Sequence, residues 1–227
     1  MRHPHCICFL LIILISSIHL HPAYGQAAAK NFCAPDNIST PLVRVQIYTK
    51  KPKILWASNK EMNSKSPNST FNVQGFFMGF YTLATQLEEP ILYKQTRGQN
   101  TISCLHLRKL SITIQSTNAA IYINERHKKN RCAYRVTLAH EMQHYRNMYD
   151  SMNTYGEKIE ETLRKQFREK ELFIGSDPDA LQQRISHKIR QTVNHHLKIY
   201  ERVRALRDQR LDSPANYRRT EGLCPNW

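Results

Sequence analysis

The stretch Thr137-Leu138-Ala139-His140-Glu141-Met142-Gln143-His144 sets two imidazoles four residues apart, with a carboxylate next to the first. On an α-helix, residues four apart lie about 40° apart in azimuth and about 6 Å apart along the axis, so both rings can reach one ion. Neutral imidazole is the commonest protein ligand of zinc and of related divalent metals. A carboxylate one residue after the first ligand projects to the side, where it can take a proton from water acidified by the ion. One helical turn therefore offers two metal ligands, His140 and His144, and a general base, Glu141.

This chemistry requires a helix at the right place, and the surrounding pattern predicts one. From Asn130 onward glycine and proline nearly vanish, and Leu138, Met142, Tyr145, Met148, Met152, Tyr155, Ile159, Leu163 and Phe167 recur at three- and four-residue spacing. That run is expected to stop at Gly175-Ser176-Asp177-Pro178, where a glycine precedes an N-cap residue and a proline suited to a first turn. A second helix follows, with Leu181, Ile185, Ile189, Val193, His196, Tyr200 and Val203 on its inner face, and ends near Asp212-Ser213-Pro214. Residues 130–227 thus read as a helical hairpin with a tail. The region before it is β-rich: Val43, Val45 and Ile47, then Leu110, Ile112 and Ile114, then Ile121 and Ile123 alternate with polar residues. Asn63 to Ser69 reads as a loop. Asn72 to Ala84 reads as core, with a short helix or a substrate-facing surface as the alternatives. The expected fold class is α+β, a single domain with a β-rich half (26–129) packed on the hairpin.

The first 25 residues, MRHPHCICFLLIILISSIHLHPAYG, have an early arginine, an apolar run of about a dozen residues and small residues at Ala23 and Gly25. They read as a removable secretion signal, which implies a secreted or periplasmic protein. No later segment is apolar enough to suggest a membrane span. Four cysteines remain after removal of the signal: Cys33, Cys104, Cys132 and Cys224. An even number in an oxidising compartment implies two disulfides, and Cys104–Cys132 with Cys33–Cys224 is the expected pairing among three. The Asn-x-Ser/Thr sequences at Asn37 and Asn68 matter only where secreted proteins are glycosylated. A formal net charge of +15 favours anionic partners. Outside the cytoplasm these are envelope polymers, lipid head groups or acidic substrates, and nucleic acid is not expected.

The His140–His144 segment resembles the active-site helix of the zincin metallopeptidases. Thr137, three residues before the first histidine, fits that pattern, whereas Arg146, two after the second, departs from it. No Gly-x-x-His follows His144, which sets the metzincin branch aside. More loosely, the plan of signal, β-rich half, active helix and returning helix is similar to a family of secreted bacterial zinc-dependent proteases of undefined function. That family ends its returning segment with a Tyr, a Thr and a His-Gly. The comparable stretch here is Tyr217-Arg218-Arg219-Thr220-Glu221-Gly222, so the resemblance implies Glu221 as third zinc ligand in place of His.

The residues themselves leave the third ligand open. A hairpin with equal arms counted from Gly175 puts Asp208 to Asp212 opposite the two histidines. Glu157, Glu160 and Glu161 lie about 20 Å or more beyond His144 on an unbroken helix, and reach the ion only if the helix breaks at Asn153 to Gly156. His195-His196, His106 and His127 read as packed or surface residues. The expected activity is that of a zinc-dependent peptidase acting on a peptide or protein. Ser111 to Asn124 is the expected edge strand for substrate, and Tyr145, Tyr217 or Arg218 the expected oxyanion partner. The alternative is a basic envelope-binding protein without catalysis, its metal structural or absent. A nuclease or nucleic-acid binder rests on charge alone.

Overall fold

A computed structural model describes residues 40–65, 74–88, 91–97, 100–169 and 173–224. The signal segment, Cys33, Asn37 and Asn68 lie outside the described residues. In chain order the elements are β1 (Leu42–Tyr48), β2 (Lys53–Ala57), α1 (Asn59–Lys65), β3 (Gly75–Glu88), β4 (Ile91–Arg97), β5 (Asn100–His106), β6 (Lys109–Asn124), a 3-10 segment (Glu125–Lys129), α2 (Arg131–Gln166), β7 (Ile174–Gly175), α3 (Pro178–Leu211) and α4 (Pro214–Glu221). The chain is a mixed α and β protein.

β6 organises the larger sheet. Its buried residues Leu110, Ile112, Ile114, Ile121 and Ile123 alternate along 16 residues, as a strand with one covered face requires. β3 runs antiparallel along one edge, from Glu88 opposite Lys109 to Gly75 opposite Ile123. β1 and β2 lie end to end along the other edge, both parallel to β6. Leu42 faces Lys109 and Lys53 faces Ala120, so the register offset is the same for both strands. The basic Lys50-Lys51-Pro52 stretch interrupts what is otherwise one strand. Opposite this interruption β6 is bulged: the β3 pairing shifts between Met78 and Phe80, and Asn118 takes φ 53°. Asparagine tolerates the left-handed region better than most residues, and such a bulge sharpens the local twist. β6 is therefore the centre of the sheet, flanked on both sides, and Ser111 to Asn124 is not an edge strand. The edge strands of this sheet are β1 and β2 on one side and β3 on the other, and β3 is the one that runs beside Glu141. Asn72 to Ala84 accordingly resolves, from Gly75 on, into a strand whose Phe77, Tyr81 and Leu83 pack on the core. Asn63 to Lys65 close a short helix rather than a loop.

The covered face of the sheet packs on α2 through Met148, Met152, Tyr155 and Ile159. Contact with β1 is close at Gly156, where a Cβ would stand 2.8 Å from Ile47 Cδ1. Glu160 accepts from the Val45 backbone amide at 2.9 Å, which satisfies a donor on the outer edge of β1. α2 begins at Asn130, whose side chain accepts from the Ala133 amide, and runs unbroken past Asn153 to Gly156. It stops at Gln166 instead of continuing to Gly175, because Ile174 and Gly175 pair with Cys104 and Ser103 of the smaller β4–β5–β7 sheet. α3 starts on the Asp177 cap with Pro178 in its first turn and runs back antiparallel to α2. Paired positions along the seam are Gln166 with Thr192, Thr162 with His196 and Ser151 with Arg207. His196 is thus a seam residue, and no metal cluster forms around it among the described residues. No helix among the described residues is long and apolar enough to cross a membrane.

Ser213 caps α4, which folds back over the start of α2 and carries Cys224 to a disulfide with Cys132. This corrects the expected Cys104–Cys132 bridge; Cys104 is disulfide-bonded too, but to a residue other than Cys132. The expectation failed because it took no account of α4, the turn that returns the C-terminal tail to the helix. The bond spans 92 residues. Replacing both Cys132 and Cys224 with serine should therefore lower unfolding stability by about 2–4 kcal/mol in urea titrations, the typical worth of a disulfide. Non-reducing peptide mapping of the parent should yield a Cys132–Cys224 peptide and no Cys104–Cys132 peptide.

Candidate metal centre

The core-facing stripe of α2 continues N-terminally from Met148 through His144, Glu141 with His140, Thr137 and Ala133, all buried. Leu138, Met142 and Tyr145 sit beside this stripe and are only partly covered. The first turns of the helix thus bury polar groups where its middle buries methionine and isoleucine. These groups meet the end of α3. His140 Nε2 and His144 Nε2 are 3.3 Å apart, and Asp212 Oδ1 lies 3.1 Å from the first and 3.0 Å from the second. Atoms bound at about 2.0–2.1 Å to one tetrahedral ion lie about 3.3 Å from each other. The triangle formed by His140, His144 and Asp212 therefore has the dimensions of three ligands of a single metal ion, and the protein has a possible metal-binding triad at this position. Two side chains of this triad are nearly sealed, whereas that of Asp212 is 43% exposed, which leaves the group open on one side.

Asp208, one turn before Asp212, takes a different part. Its Oδ1 is 2.9 Å from His144 Nδ1 and accepts from Asn147 Nδ2 at 3.1 Å, while Arg204 Nε lies 3.4 Å from Oδ2. A carboxylate on the far nitrogen of a ligand histidine sets its tautomer and turns the other nitrogen to the metal. Tyr217 at the start of α4 donates to Asp212 Oδ1 at 3.3 Å, and its ring lies 5.1 Å from that of His140. Of the three oxyanion candidates, Tyr217 is the one in this group; Tyr145 packs against Phe77 and Arg218 is exposed.

Glu141 faces the other way, towards β3. Gly75 lets the strand approach: a Cβ there would stand 2.7 Å from Thr137 Cγ2 and 3.0 Å from Glu141 Cγ. The Phe77 backbone amide hydrogen-bonds to the Glu141 carboxylate. The start of β3 is held by Gln74, whose Oε1 takes bonds from the buried His127 Nε2 at 2.7 Å and from Arg126 Nε at 3.1 Å. His127, which carries no signal in the sequence, is a brace for this strand.

The expected third ligand, Glu221, is exposed at the end of α4 and is not part of the triad. Asp212 completes the possible triad instead, because the hairpin arms are close to equal, and α4 then turns Glu221 outward. Glu160 is committed to Val45 and Arg164, and Glu157 and Glu161 are exposed further along α2. Asp208 as a partner of His144, Asn147 as a donor to Asp208, and the Phe77 amide have no signature in the chain order.

Burial pushes the Glu141 carboxyl up to about 7, with the neighbouring histidines and the Phe77 amide offsetting it only in part. Burial alone would lower His144, but its bonds to Asp208 and Asp212 outweigh this and raise it to about 10. Burial also acts to raise Asp212, yet the two histidines hold its carboxyl well below the usual range. The Tyr217 phenol is pushed above its ordinary value by burial and by the charges of Asp212 and Glu141.

No protein-family model, curated protein or solved structure matches the chain. The functional reading rests on the geometry of this group.

Two outcomes are expected. Asp212→Ala should weaken divalent-metal affinity by more than the about 10–100-fold expected of Asp208→Asn, while Glu221→Ala leaves it unchanged, as read by competition with a chromogenic chelator. Without metal, the proton on Glu141 stabilises the fold below its unfolded value of 4.5 and this contribution is lost as pH rises through about 7. That of His144 is complete below 6.5 and lost through about 10. The Asp212 contribution has the opposite sign, being lost as pH falls below 3.8. The melting temperature of metal-free protein should thus decline from about pH 5 towards pH 9, and metal uptake at neutral pH should release protons, seen as a buffer-dependent binding enthalpy.

Proposed function

We propose that this protein is a secreted zinc-dependent peptidase in which His140, His144 and Asp212 hold the ion and Glu141 is the general base. The observation that carries the reading is the Nε2–Nε2–Oδ1 triangle with a buried carboxylate beside it. Two imidazoles and one carboxylate are a donor set suited to zinc, and the open side at Asp212 suits a catalytic rather than a closed structural site. The ion, when bound, supplies Lewis acidity to a carbonyl and acidifies water.

The residues of the chain do the rest. Glu141, poised near neutrality by burial, accepts the proton of the attacking water and delivers it to the leaving amine. The Phe77 amide fixes the direction of its carboxylate. Tyr217 lies where its hydroxyl can turn from Asp212 to a developing oxyanion, and its raised pKa keeps it protonated as a donor. An extended substrate adds along the open edge of β3 at Gly75 to Gly79, beside Glu141, through backbone hydrogen bonds. This replaces β6, whose edges are both occupied.

The test is Glu141→Gln in metal-loaded protein. Turnover of a peptide mixture, followed by mass spectrometry, should fall by at least about 100-fold while one zinc per chain is retained. A protein that only binds an anionic surface would show no turnover before or after the change.

A further inference from the structure

Between the start of α2, the end of α3 and α4 lies a cleft of about 720 Å³, with the Cys132 end of the disulfide in its wall. His140 lines it as well, so the cleft borders the His140–His144–Asp212 triad. Three arginines line it, Arg131, Arg135 and Arg219, and no aspartate or glutamate does. Arg131 and Arg135 are four apart on α2 and so share a face, an arrangement that like charges disfavour in a helix. Arg219 faces them from α4 and donates to Asn216 Oδ1 at 2.6 Å. Among the described residues none of the three has an ion pair, although other arginines do: Arg204 reaches Asp208 beside the triad, and Arg164 reaches Glu160 further along α2. The cleft thus gathers three uncompensated guanidinium groups at one wall of the site.

Its position relative to β3 is equally informative. Thr137 and Glu141 of α2 face β3, whereas Arg135, Ala139 and Gln143 face the cleft. At 100° per residue these two faces lie on opposite sides of the histidines. A substrate lying along β3 and crossing the metal-binding atoms would place a residue next to its reacting bond into the cleft. Arginine binds a carboxylate through two parallel N–H donors, with geometry as well as charge.

We propose that this cleft is a specificity subsite that selects an acidic side chain, aspartate or glutamate, adjacent to the cleaved bond. Arg135 and Arg219 grip the carboxylate, and Arg131 adds to the field. This inference rests on the peptidase reading and names its substrate class.

The experiment separates the two. Fluorescein-labelled peptide pools that differ only in Glu or Gln at a central position are titrated against zinc-loaded Glu141→Gln protein and read by anisotropy. The Glu pool should bind at least about tenfold more tightly, and Arg135→Gln/Arg219→Gln in that background should abolish the difference. Arg184→Gln/Arg190→Gln, at the far end of the hairpin, removes equal charge and should preserve it. Equal binding of the two pools, undetectable binding of both, or loss of the preference in the far-end variant to the same extent overturns the subsite. If the preference behaves as expected but zinc-loaded parent protein cleaves neither pool, the anion subsite stands and the peptidase reading falls.

Discussion

Burying the charged form of even one carboxylate or imidazolium costs several kcal/mol unless opposite charge and hydrogen bonds replace the lost water. Three such groups, His140, Glu141 and His144, lie in the core stripe of α2, and the fold is arranged around that constraint. Asp208 and Asp212 of α3 offset the histidines from one side, and the Phe77 amide of β3 meets Glu141 from the other. Remove the returning helix and the imidazoles lose their carboxylates; remove β3 and Glu141 loses its donor. A site formed by one helical turn therefore depends on two elements that are remote in sequence.

The apolar portion of the molecule supplies the rigidity this requires. Met148, Met152, Tyr155 and Ile159 fasten α2 to the sheet, while Leu181, Ile185, Ile189 and Val193 fasten α3 to it further along. A helix of 36 residues clamped along its middle and far end holds its first turns in place with little help from local propensity. The bulge at Asn118 belongs to the same scheme. By twisting β6 where β1 gives way to β2, it lets one sheet serve the apolar middle of α2 at one end and the polar first turns at the other. The Cys132–Cys224 bond then ties α4 beside the His140–His144–Asp212 triad, which places Tyr217 and Arg219 next to it.

The site is asymmetric in charge. On the β3 side burial pushes the Glu141 carboxyl up to about 7. On the α4 side Arg131, Arg135 and Arg219 collect with no ion pair among the described residues. That division keeps the buried carboxylate apart from the guanidinium groups, and neither side has to compromise its electrostatics for the other.

How much of this was legible in the sequence follows from the range of each signal. His140, Glu141 and His144 declare themselves because helix geometry links residues four apart whatever surrounds them. The two long helices show in the apolar spacing and in the Asp177-Pro178 start. The alternating strands show because a sheet with one covered face imposes a period of two. The third member of the triad was narrowed but not fixed: counting equal hairpin arms points to Asp208 to Asp212 at the end of α3, the resemblance pointed to Glu221, and only the packed ends of α3 and α4 tell them apart. The edge strand did not show, because β6 and β3 both read as apolar strands and position within a sheet is set by pairing, which leaves no local mark. The disulfide partners were hidden for the same reason. What the sequence by itself determined is the chemistry available within one helical turn. Which distant carboxylate, amide and guanidinium groups meet it was decided by tertiary packing, because contacts between remote residues depend on where the chain turns.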